Sequence, residues 1–283
     1  MKLGWIGWSQ YFKEYGRSID VLPNRDSYTG ETYKDAKINV YDIINYVSIY
    51  EQIEKVSTDV KAYEINPSYC TSRSKRNINA DTIDILCDSI EAICKNPDKN
   101  FILAYNDNPD GLLHQYGCQS DEMKEFVLDT EKKIEDLYHK LIDTNSLLLI
   151  SADHGHKDIE KTYDILQMED IQDCLILPPS IESRCTAFWV KEEKKTEFEQ
   201  IFQERFGEEF ILYTKEEFLK KNMLGIGNKH KKVDDFIGNY ISMSIRGASF
   251  KLETYISKEK PEKKSTHCGL SPEEMEVPFI VIE

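Results

Sequence analysis

The stretch that most restricts the fold of this chain is an apolar run that ends in a short polar motif. Residues 147–150 are all aliphatic, and Asp153-His154-Gly155 follows after two intervening residues. Four apolar residues are too few for a membrane span but suit a strand buried in a parallel sheet. Open α/β sheets place their binding sites at the carboxyl ends of such strands. The motif therefore predicts an α/β fold in which Asp153 and His154 hold a divalent cation.

Two further polar clusters contain residues of the same types. The apolar run 101–105 leads into a loop with Asp110 and His114. Because Pro109 favours the start of a helical turn, the four-residue spacing places both side chains on one helix face. The third cluster, Thr266-His267-Cys268-Gly269, precedes an apolar carboxyl terminus. The three clusters supply enough oxygen and nitrogen ligands for two borderline-hard cations.

Each of these residues also has a purely structural interpretation. His154 could be a hydrogen-bonded core histidine, and Asp110 could be an acid that only favours the start of a helix. The lone His-x-Gly of His267 is a weak signal. His156 could contact a substrate or orient a ligand, and a solvated loop residue is an equally good interpretation. The occurrence of three such clusters in one chain favours ligands.

The three motifs together resemble the alkaline phosphatase superfamily, and more closely its type I phosphodiesterase/nucleotide pyrophosphatase branch. The likeness extends from Gly4-Trp5-Ile6-Gly7-Trp8 to the last strand. It implies two divalent cations, zinc or manganese. One cation would take Asp110, His114 and His267. The other would take Asp153 and His154, together with an early Asp and a Thr or Ser nucleophile.

The early Asp and the nucleophile implied by this resemblance have no match in the sequence. In the family both precede the Gly-Trp segment, and here only three residues stand before Gly4. Thr29 and Thr32 are the nearest later threonines, and they lie in or beside a turn-rich loop. We therefore assign no catalytic residue and expect an amino-terminally truncated copy. It should bind a divalent metal but hydrolyse phosphoesters poorly or not at all.

Alternating patterns along the chain predict a mostly parallel sheet with helices on both faces. Strand patterns occupy 60–65, 101–105 and 146–151, and helical periods occupy 39–55, 82–94 and a long stretch from Ser120 to about Ile142. Residues 184–235 read as strand, helix, strand and helix, which resembles the cap that the family inserts. We therefore predict an alkaline phosphatase-like core of residues 1–183 and 236–283 and a small inserted α+β cap of residues 184–235.

Charge and composition restrict the partners and the compartment. The formal net charge of −15 disfavours nucleic-acid polymers and anionic membranes, whereas bound dications would still admit a small phosphate ester. No run approaches the roughly 20 apolar residues of a membrane span. Seven scattered cysteines without a Cys-x-x-Cys pair favour a reducing compartment, so we predict a cytoplasmic protein.

The function predicted from the sequence is that of a metal-dependent phosphoester hydrolase acting on a small phosphate ester. The five candidate ligands should gather within about 6 Å of one another, given metal–ligand distances near 2 Å. Two alternatives stay open. One is a catalytically inactive metal-binding homologue or fragment. The other, less well supported, is a phosphosugar mutase of the same superfamily, which shares the Asp-His-Gly motif.

Overall fold

The computed structural model describes residues 6–21, 24–33, 47–70, 72, 74–252 and 262–283. The chain divides into two compact units. Unit 1 comprises Met1–Tyr46 and His154–Glu276, and unit 2 comprises Val47–Asp153 and Val277–Glu283. The boundary falls inside the Asp-His-Gly motif, which therefore gives one ligand candidate to each unit. The first part of the predicted helix at 39–55 lies outside the described residues.

The helices and strands of the described residues are numbered in chain order. The helices are α1 (Ile49–Val56), α2 (Ile83–Cys94), α3 (Asp110–Tyr116), α4 (Asp121–Leu141), α5 (Glu169–Cys174), α6 (Lys195–Phe206), α7 (Lys215–Lys220), α8 (Val233–Phe236) and α9 (Pro272–Met275). The strands are β1 (Ser9–Phe12), β2 (Arg17–Asp20), β3 (Arg25–Asp26), β4 (Val60–Asn66), β5 (Asn77–Asn79), β6 (Lys99–Ala104), β7 (Leu148–Ser151), β8 (Lys157–Asp158), β9 (Lys161–Tyr163), β10 (Leu175–Ile181), β11 (Cys185–Val190), β12 (Phe210–Thr214), β13 (Tyr240–Ser244), β14 (Ala248–Phe250), β15 (Ser265–Thr266) and β16 (Phe279–Ile282). In this part of the chain, none of the helices combines the length and the apolar character that crossing a membrane requires.

Several helices begin where the local sequence satisfies their first backbone N–H groups. Ser48 and Thr214 form capping boxes with Glu51 and Glu217 at α1 and α7. The Ser120 side chain accepts a hydrogen bond from the first turn of α4, as its position before two acids predicted. A side-chain cap of this kind is worth about 1 kcal/mol. Local sequence therefore fixes where these helices begin.

Unit 2 contains the parallel strands that the sequence predicted. β4 pairs in parallel with β5 on one side and with β6 on the other. α2 packs against this sheet and against α4, and these contacts bury Ile65, Leu86 and Leu137 in one apolar cluster. Burying one such side chain stabilises the fold by about 1.5–3 kcal/mol. The cluster holds β6 in place, and β6 leads into the loop that carries Asp110.

The strand that precedes Asp153 is less buried than predicted. β7 pairs antiparallel with β16, and Leu148 packs into the same apolar cluster as α2 and α4. On the opposite face Leu149 is 53% exposed, and its partner Val281 is 49% exposed. The prediction of a strand buried in a parallel sheet is therefore not confirmed for β7, whose described pairing is antiparallel and which is exposed at Leu149. An apolar run specifies a strand, but whether each face is covered depends on elements distant in sequence.

Unit 1 is built on a seven-stranded antiparallel sheet. Its strand order is β12-β13-β11-β10-β1-β2-β3, and each neighbouring pair is antiparallel. In the same unit β9 and β14 pair in parallel. The chain is thus a mixed α/β protein, and the prediction of a mostly parallel sheet is not confirmed. Sequence periodicity identifies a strand, whereas long-range pairing, such as that of Thr186 with Ser242, decides its direction.

The segment 184–235, predicted as an inserted cap, forms β11, α6, β12 and α7 in the predicted order. Within the seven-stranded sheet, β11 lies between β10 and β13, which stand on either side of this segment in the sequence. The segment is therefore paired into the same sheet as β1. The division of the chain into a core and an inserted cap stays a prediction.

α6 packs into unit 1 through a row of phenylalanines. Phe198, Phe202 and Phe206 recur every four residues, and all three are buried. Phe188 of β11 lies against the first two rings, and Phe250 of β14 lies against the last two. Such ring pairs add about 0.5–1.5 kcal/mol each beyond the burial of their area. This aromatic core fixes the positions of β11 and β14.

Candidate metal centre

Three histidines of unit 1 lie together and are called here the histidine cluster: His154, His156 and His267. The rings of His154 and His267 are stacked, with centroids 3.8 Å apart and planes inclined by 14°. The centroid of the His156 ring lies 5.6 Å from that of His154 and 5.1 Å from that of His267. One ring nitrogen of each residue lies within 4.8 Å of the other two. Imidazole nitrogens gathered in this way are a candidate site for a divalent cation.

Each imidazole of the histidine cluster is oriented through its Nδ1 atom. Nδ1 of His154 lies 3.0 Å from the carbonyl oxygen of Gly155, and Nδ1 of His156 lies 3.0 Å from Oγ of Ser265. Nδ1 of His267 lies 3.0 Å from Sγ of Cys268. Histidines that bind metals usually have their second ring nitrogen engaged in this manner, which fixes the tautomer and the ring plane.

Gly155 allows a close approach between two backbone segments. Its N–H donates a hydrogen bond of 2.9 Å to the carbonyl oxygen of Glu274. A Cβ atom at position 155 would lie only 2.0 Å from the carbonyl oxygen of Glu273, and a side-chain rotation could not relieve that clash. The glycine of the Asp-His-Gly motif therefore lets the segment between His154 and His156 pack against α9.

A buried ion pair of Arg184 and Glu274, called here the buried ion pair, lies behind this contact. Both side chains are almost fully inaccessible to solvent. Arg184 donates from Nε and Nη2 to the two carboxylate oxygens, both at 2.6 Å. It also donates to the carbonyl oxygens of Arg246, at 2.6 Å, and Ala248, at 2.8 Å. The guanidinium thus links the turn before β11, the start of β14 and α9.

The carboxylate of Glu274 holds the loop that follows His267. It accepts hydrogen bonds of 2.7 Å from the backbone N–H of Gly269 and from the hydroxyl of Ser271. Burial alone would raise the pKa of Glu274, but the hydrogen bonds from Arg184 and Ser271 outweigh it and hold the pKa below its usual value. Glu274 is therefore ionised at neutral pH and keeps the loop after His267 fixed.

The residue after His267 has an unusual backbone conformation. Cys268 has φ of +79°, in the left-handed region that residues other than glycine rarely adopt. Such a conformation costs of order 1–3 kcal/mol and persists where the surroundings enforce it. Here the next residue, Gly269, is held by Glu274, and a Cβ at position 269 would lie 2.6 Å from that carboxylate. The anchored loop thus enforces the conformation beside His267.

Unit 2 carries the other sequence-predicted ligands. α3 begins at Asp110, and Nε2 of His114 lies 3.5 Å from Oδ1 of Asp110, which confirms that the two share one helix face. Pro109 occupies the N-cap position, one residue before the predicted first turn. The side chain of Asp110 is 40% exposed and that of His114 is 17% exposed. Asp153, after β7, is exposed.

The carboxylates of unit 2 gather at the ends of β6 and β7. The pKa of Tyr105 is raised to about 12, chiefly by burial and also by the negative charges of Asp153, Asp110 and Asp107. Because such an effect weakens with distance, these carboxylates lie near the Tyr105 phenol. The hydroxyl of Tyr69 donates to Asp107 at 2.8 Å. This acidic edge offers the oxygen ligands that divalent cations bind.

The structure therefore brings some of the predicted residues together within each unit. His154 and His267 meet in unit 1, and Asp110 and His114 meet in unit 2. The convergence of all five candidates stays a prediction. His156, which the sequence left open between a solvated and a functional position, is buried beside the other two histidines. Its only sequence signal is its place two residues after His154.

Similarity to known proteins is found at the level of family and fold. The sequence profile described as type I phosphodiesterase / nucleotide pyrophosphatase matches residues 26–264. No curated protein sequence matches the chain closely enough to count as a relative. Human ectonucleotide pyrophosphatase / phosphodiesterase 5 is a similar solved structure, with a TM-score of 0.66 and 16% identity over 99% of this chain and 72% of that chain.

Two further solved structures are similar and contain ligands. Inactive murine ectonucleotide pyrophosphatase / phosphodiesterase 5, in complex with AMP, gives a TM-score of 0.64 and 14% identity over 99% of this chain and 72% of that chain. Phosphonoacetate hydrolase from Sinorhizobium meliloti 1021, in complex with phosphonoformate, gives 0.65 and 13% over 97% of this chain and 73% of that chain. At these identities the likeness establishes the fold.

Proposed function

The chain belongs to the type I phosphodiesterase/nucleotide pyrophosphatase family of the alkaline phosphatase superfamily, and from this premise we propose that it is a metal-dependent phosphoester hydrolase. The observation that carries the proposal is the stacking of His154 on His267. These residues come from two family motifs that are far apart in the sequence. Their proximity within unit 1 supports a metal centre at this point.

The proposed ligands follow the distribution that the family resemblance implies. Asp110, His114 and His267 would hold one cation, and Asp153 and His154 would hold the other. The residues fit such a group, because carboxylate oxygens and imidazole nitrogens are the ligands that zinc prefers after thiolates. The Nδ1 contacts of His154 and His267 add support, since they fix the orientation of both rings as metal ligands require.

Bound cations would polarise the phosphoryl oxygens and lower the pKa of a water molecule at the site. The residues of the chain would bind these cations, and neighbouring residues hold the ligands in position. Glu274 fixes the loop after His267 through Gly269 N, and Asp110 lies against the imidazole of His114. The acidic edge at Asp110 and Asp153 attracts cations and repels an anionic substrate until cations neutralise it. Metal should therefore bind before substrate.

The proposed substrate is a small phosphate ester. Of the similar structures, one holds AMP and another holds phosphonoformate, both small anions with a phosphorus-centred group. The net charge of −15 argues against a nucleic-acid polymer or an anionic membrane as partner. The cytoplasmic location stays a prediction that rests on the cysteine pattern.

A second candidate function is metal binding without turnover. It requires only the cation ligands proposed above and no nucleophile. Removing such an interacting catalytic group typically costs several kcal/mol of transition-state stabilisation, or roughly a thousandfold or more in rate. The two candidates predict the same cation binding and differ in hydrolysis.

Two measurements on the same preparations distinguish the two candidates. Calorimetry measures zinc binding, and a hydrolysis assay uses p-nitrophenyl phosphate and bis(p-nitrophenyl) phosphate. We expect the chain to bind zinc and to turn over slowly. If it is a hydrolase, chelation should abolish turnover and His114→Ala should lower it about a thousandfold. The control is His139→Ala, which alters an exposed histidine of α4 and should leave both measurements unchanged. Zinc binding without turnover would favour the second candidate, and the absence of both would contradict both.

A further inference from the structure

Strands β6 and β7 of unit 2 lie against one helical layer. β6 leads through α3 and α4 into β7. Ile102 and Ala104 of β6 and Leu148 of β7 all pack against the apolar cluster to which α2 and α4 contribute. α2 and α4 lie side by side, and a layer of two packed helices is about 20 Å wide, or about four strand spacings. The layer is therefore wide enough for β4, β6, β7 and one further strand.

β6 and β7 end at the same edge of unit 2. Tyr105 directly follows β6, and Asp153 lies shortly after β7. Burial raises the pKa of Tyr105, and the negative charge of Asp153 raises it as well. Because such an effect weakens with distance, the carboxyl ends of the two strands lie close together. A strand–helix–strand connection of this kind joins parallel strands of one sheet, which are either neighbours or separated by another strand.

No ladder of hydrogen bonds joins β6 to β7 in the part of the chain that the structure describes. β6 pairs with β4, and β7 pairs with β16, which contributes nothing to the apolar cluster and so lies on the outer side of β7. The N–H of Tyr105 donates to the carbonyl oxygen of Ile65 in β4 at 2.8 Å. Because successive residues of a strand direct their N–H groups to opposite edges, those of Ile102 and Ala104 point away from β4. The second edges of β6 and β7 therefore face the same position.

These two edges lack the features that normally protect a strand edge. Native proteins protect such edges with charged residues or proline. Residues 100–104 and 148–151 contain neither, although 31% of the chain is charged. Leu103 and Leu149, on the face away from the helices, are 47% and 53% exposed. An apolar and unprotected edge on both sides of one position indicates that a further strand pairs there.

We propose that the position between β6 and β7 binds an extended, uncharged and apolar peptide segment as an additional strand. Main-chain hydrogen bonds to both neighbours would supply the affinity, as in other cases of strand addition to a sheet. One face of the bound strand would pack beside Ile102 and Leu148 against the helices, and the other would cover Leu103 and Leu149. Because both faces are covered, the segment should be apolar at successive positions. This partner goes beyond the proposed function and requires no metal.

Amide hydrogen exchange of the full chain, resolved by residue with NMR, provides the first test. We expect the amides of Leu103 and Tyr105, which face β4, to exchange slowly. Those of Ile102 and Ala104 should exchange about tenfold faster, the difference that one backbone hydrogen bond makes. Equal protection of all four amides would overturn the inference, because the position would then already be paired, by this chain or by a second copy.

The second test adds a strand-forming peptide to the full chain. The probe is the acetylated and amidated peptide Lys-Val-Ile-Val-Ile-Val-Lys, whose terminal lysines provide solubility. We expect it to bind, as measured by fluorescence anisotropy, and to slow exchange at Ile102 and Ala104 about tenfold. The control peptide has the same charge but carries proline at its centre. Since proline cannot donate to a ladder, the control should bind about a hundredfold more weakly.

Two variants test whether the probe binds at this position. Leu103→Lys places a charge beside the bound strand and should weaken binding about fivefold. Val127→Lys is the matched control, because Val127 is an aliphatic residue of α4 that is also 53% exposed, and it should leave the affinity unchanged.

Three results of the peptide experiments would overturn the inference. These are equal binding of the two peptides, binding that leaves exchange at Ile102 and Ala104 unchanged, and an unchanged affinity in Leu103→Lys. None of the measurements uses a metal or turnover. Their outcome is therefore distinct from success or failure of the proposed hydrolase function.

Discussion

The candidate ligands of unit 1 and those of unit 2 are held in different ways. In unit 1 the histidine cluster stands on loops that are fixed by the buried ion pair of Arg184 and Glu274. In unit 2 Asp110 and His114 face each other on one helix, and their side chains remain partly exposed. A site with interlocked buried partners tolerates little change, whereas an exposed pair can be altered at small cost to folding.

This difference predicts which substitutions should change metal affinity and stability. Unit 1 concentrates imidazoles in fixed orientations, which favours tight and selective binding. Unit 2 concentrates carboxylates at strand ends, which favours cation attraction over selectivity. Substitution of residues that support the candidate ligands should therefore lower stability and metal affinity in unit 1 and have little effect in unit 2.

The strongest test of the comparison removes one charge of the buried ion pair. Glu274→Gln leaves the Arg184 guanidinium buried without its counter-charge, and we expect the free energy of unfolding to fall by about 3–5 kcal/mol. Asp110→Asn, in the exposed pair of unit 2, should cost less than about 1 kcal/mol. Urea unfolding at neutral pH measures both. Equal losses of unfolding free energy in Glu274→Gln and Asp110→Asn would contradict the proposed difference between the two units.

A neighbour of Glu274 supplies a matched control within unit 1. Glu273 carries the same type of side chain, accepts a hydrogen bond from Lys157 at 2.7 Å and is largely exposed. Its pKa is lowered to about 2, chiefly by that hydrogen bond. Glu273→Gln should change the unfolding free energy far less than Glu274→Gln. A large effect at both positions would mean that burial is not the cause.

The next prediction concerns the pH dependence of unit 1. Burial raises the pKa of Glu182 to about 7, although Trp8 N donates to its carboxylate at 2.5 Å. A carboxyl group whose pKa is raised in the folded state binds its proton more tightly there than in the unfolded chain. Its contribution to stability is complete below the unfolded pKa, near 4.5, and is lost as the pH rises through about 7.

Glu182→Gln should therefore gain stability relative to the unaltered protein as the pH rises from 5 to 8. At about 1.4 kcal/mol per pKa unit, the relative gain could reach about 3 kcal/mol. Urea unfolding at a series of pH values measures it. In unit 2 the pKa of Asp59 is lowered by the hydrogen bond from Lys99, so Asp59 is ionised in both states over this range. The difference in unfolding free energy between Asp59→Asn and the unaltered protein should not change with pH. The same lack of pH dependence for Glu182→Gln would contradict the prediction.

The smallest expected effect comes from two glycines, one in each unit. Gly155→Ala places a Cβ against the carbonyl oxygen of Glu273 and should cost about 1–3 kcal/mol, because the backbone must shift. It should also weaken zinc binding, since His154 and His156 move with it. Gly111→Ala, in α3, meets only an ordinary contact of 3.5 Å with Asn108 and should stabilise by up to about 1 kcal/mol. Thermal and urea unfolding measure both effects. A Gly155→Ala variant as stable as the unaltered protein would contradict the proposed role of the close contact.

Features that depend on neighbours in sequence could be predicted from the sequence. The four-residue spacing of Asp110 and His114 placed them on one helix face, because a helix repeats every 3.6 residues. The capping role of Ser120 followed from its position before an acidic first turn. The Asp-His-Gly motif after an apolar run located His154 at a candidate site. Each of these rests on local geometry.

What only the tertiary structure decided depends on residues that are distant in sequence. The antiparallel order of the large sheet, the exposure of Leu149 and the burial of His156 all follow from long-range packing. Arg184 and Glu274 are 90 positions apart, and no periodicity links them. Hydrophobic pattern reports which face of an element is apolar, but not what covers it or which strand runs beside it. The sequence therefore determined the motifs that carry the candidate ligands, and tertiary packing determined which histidines meet and what holds them.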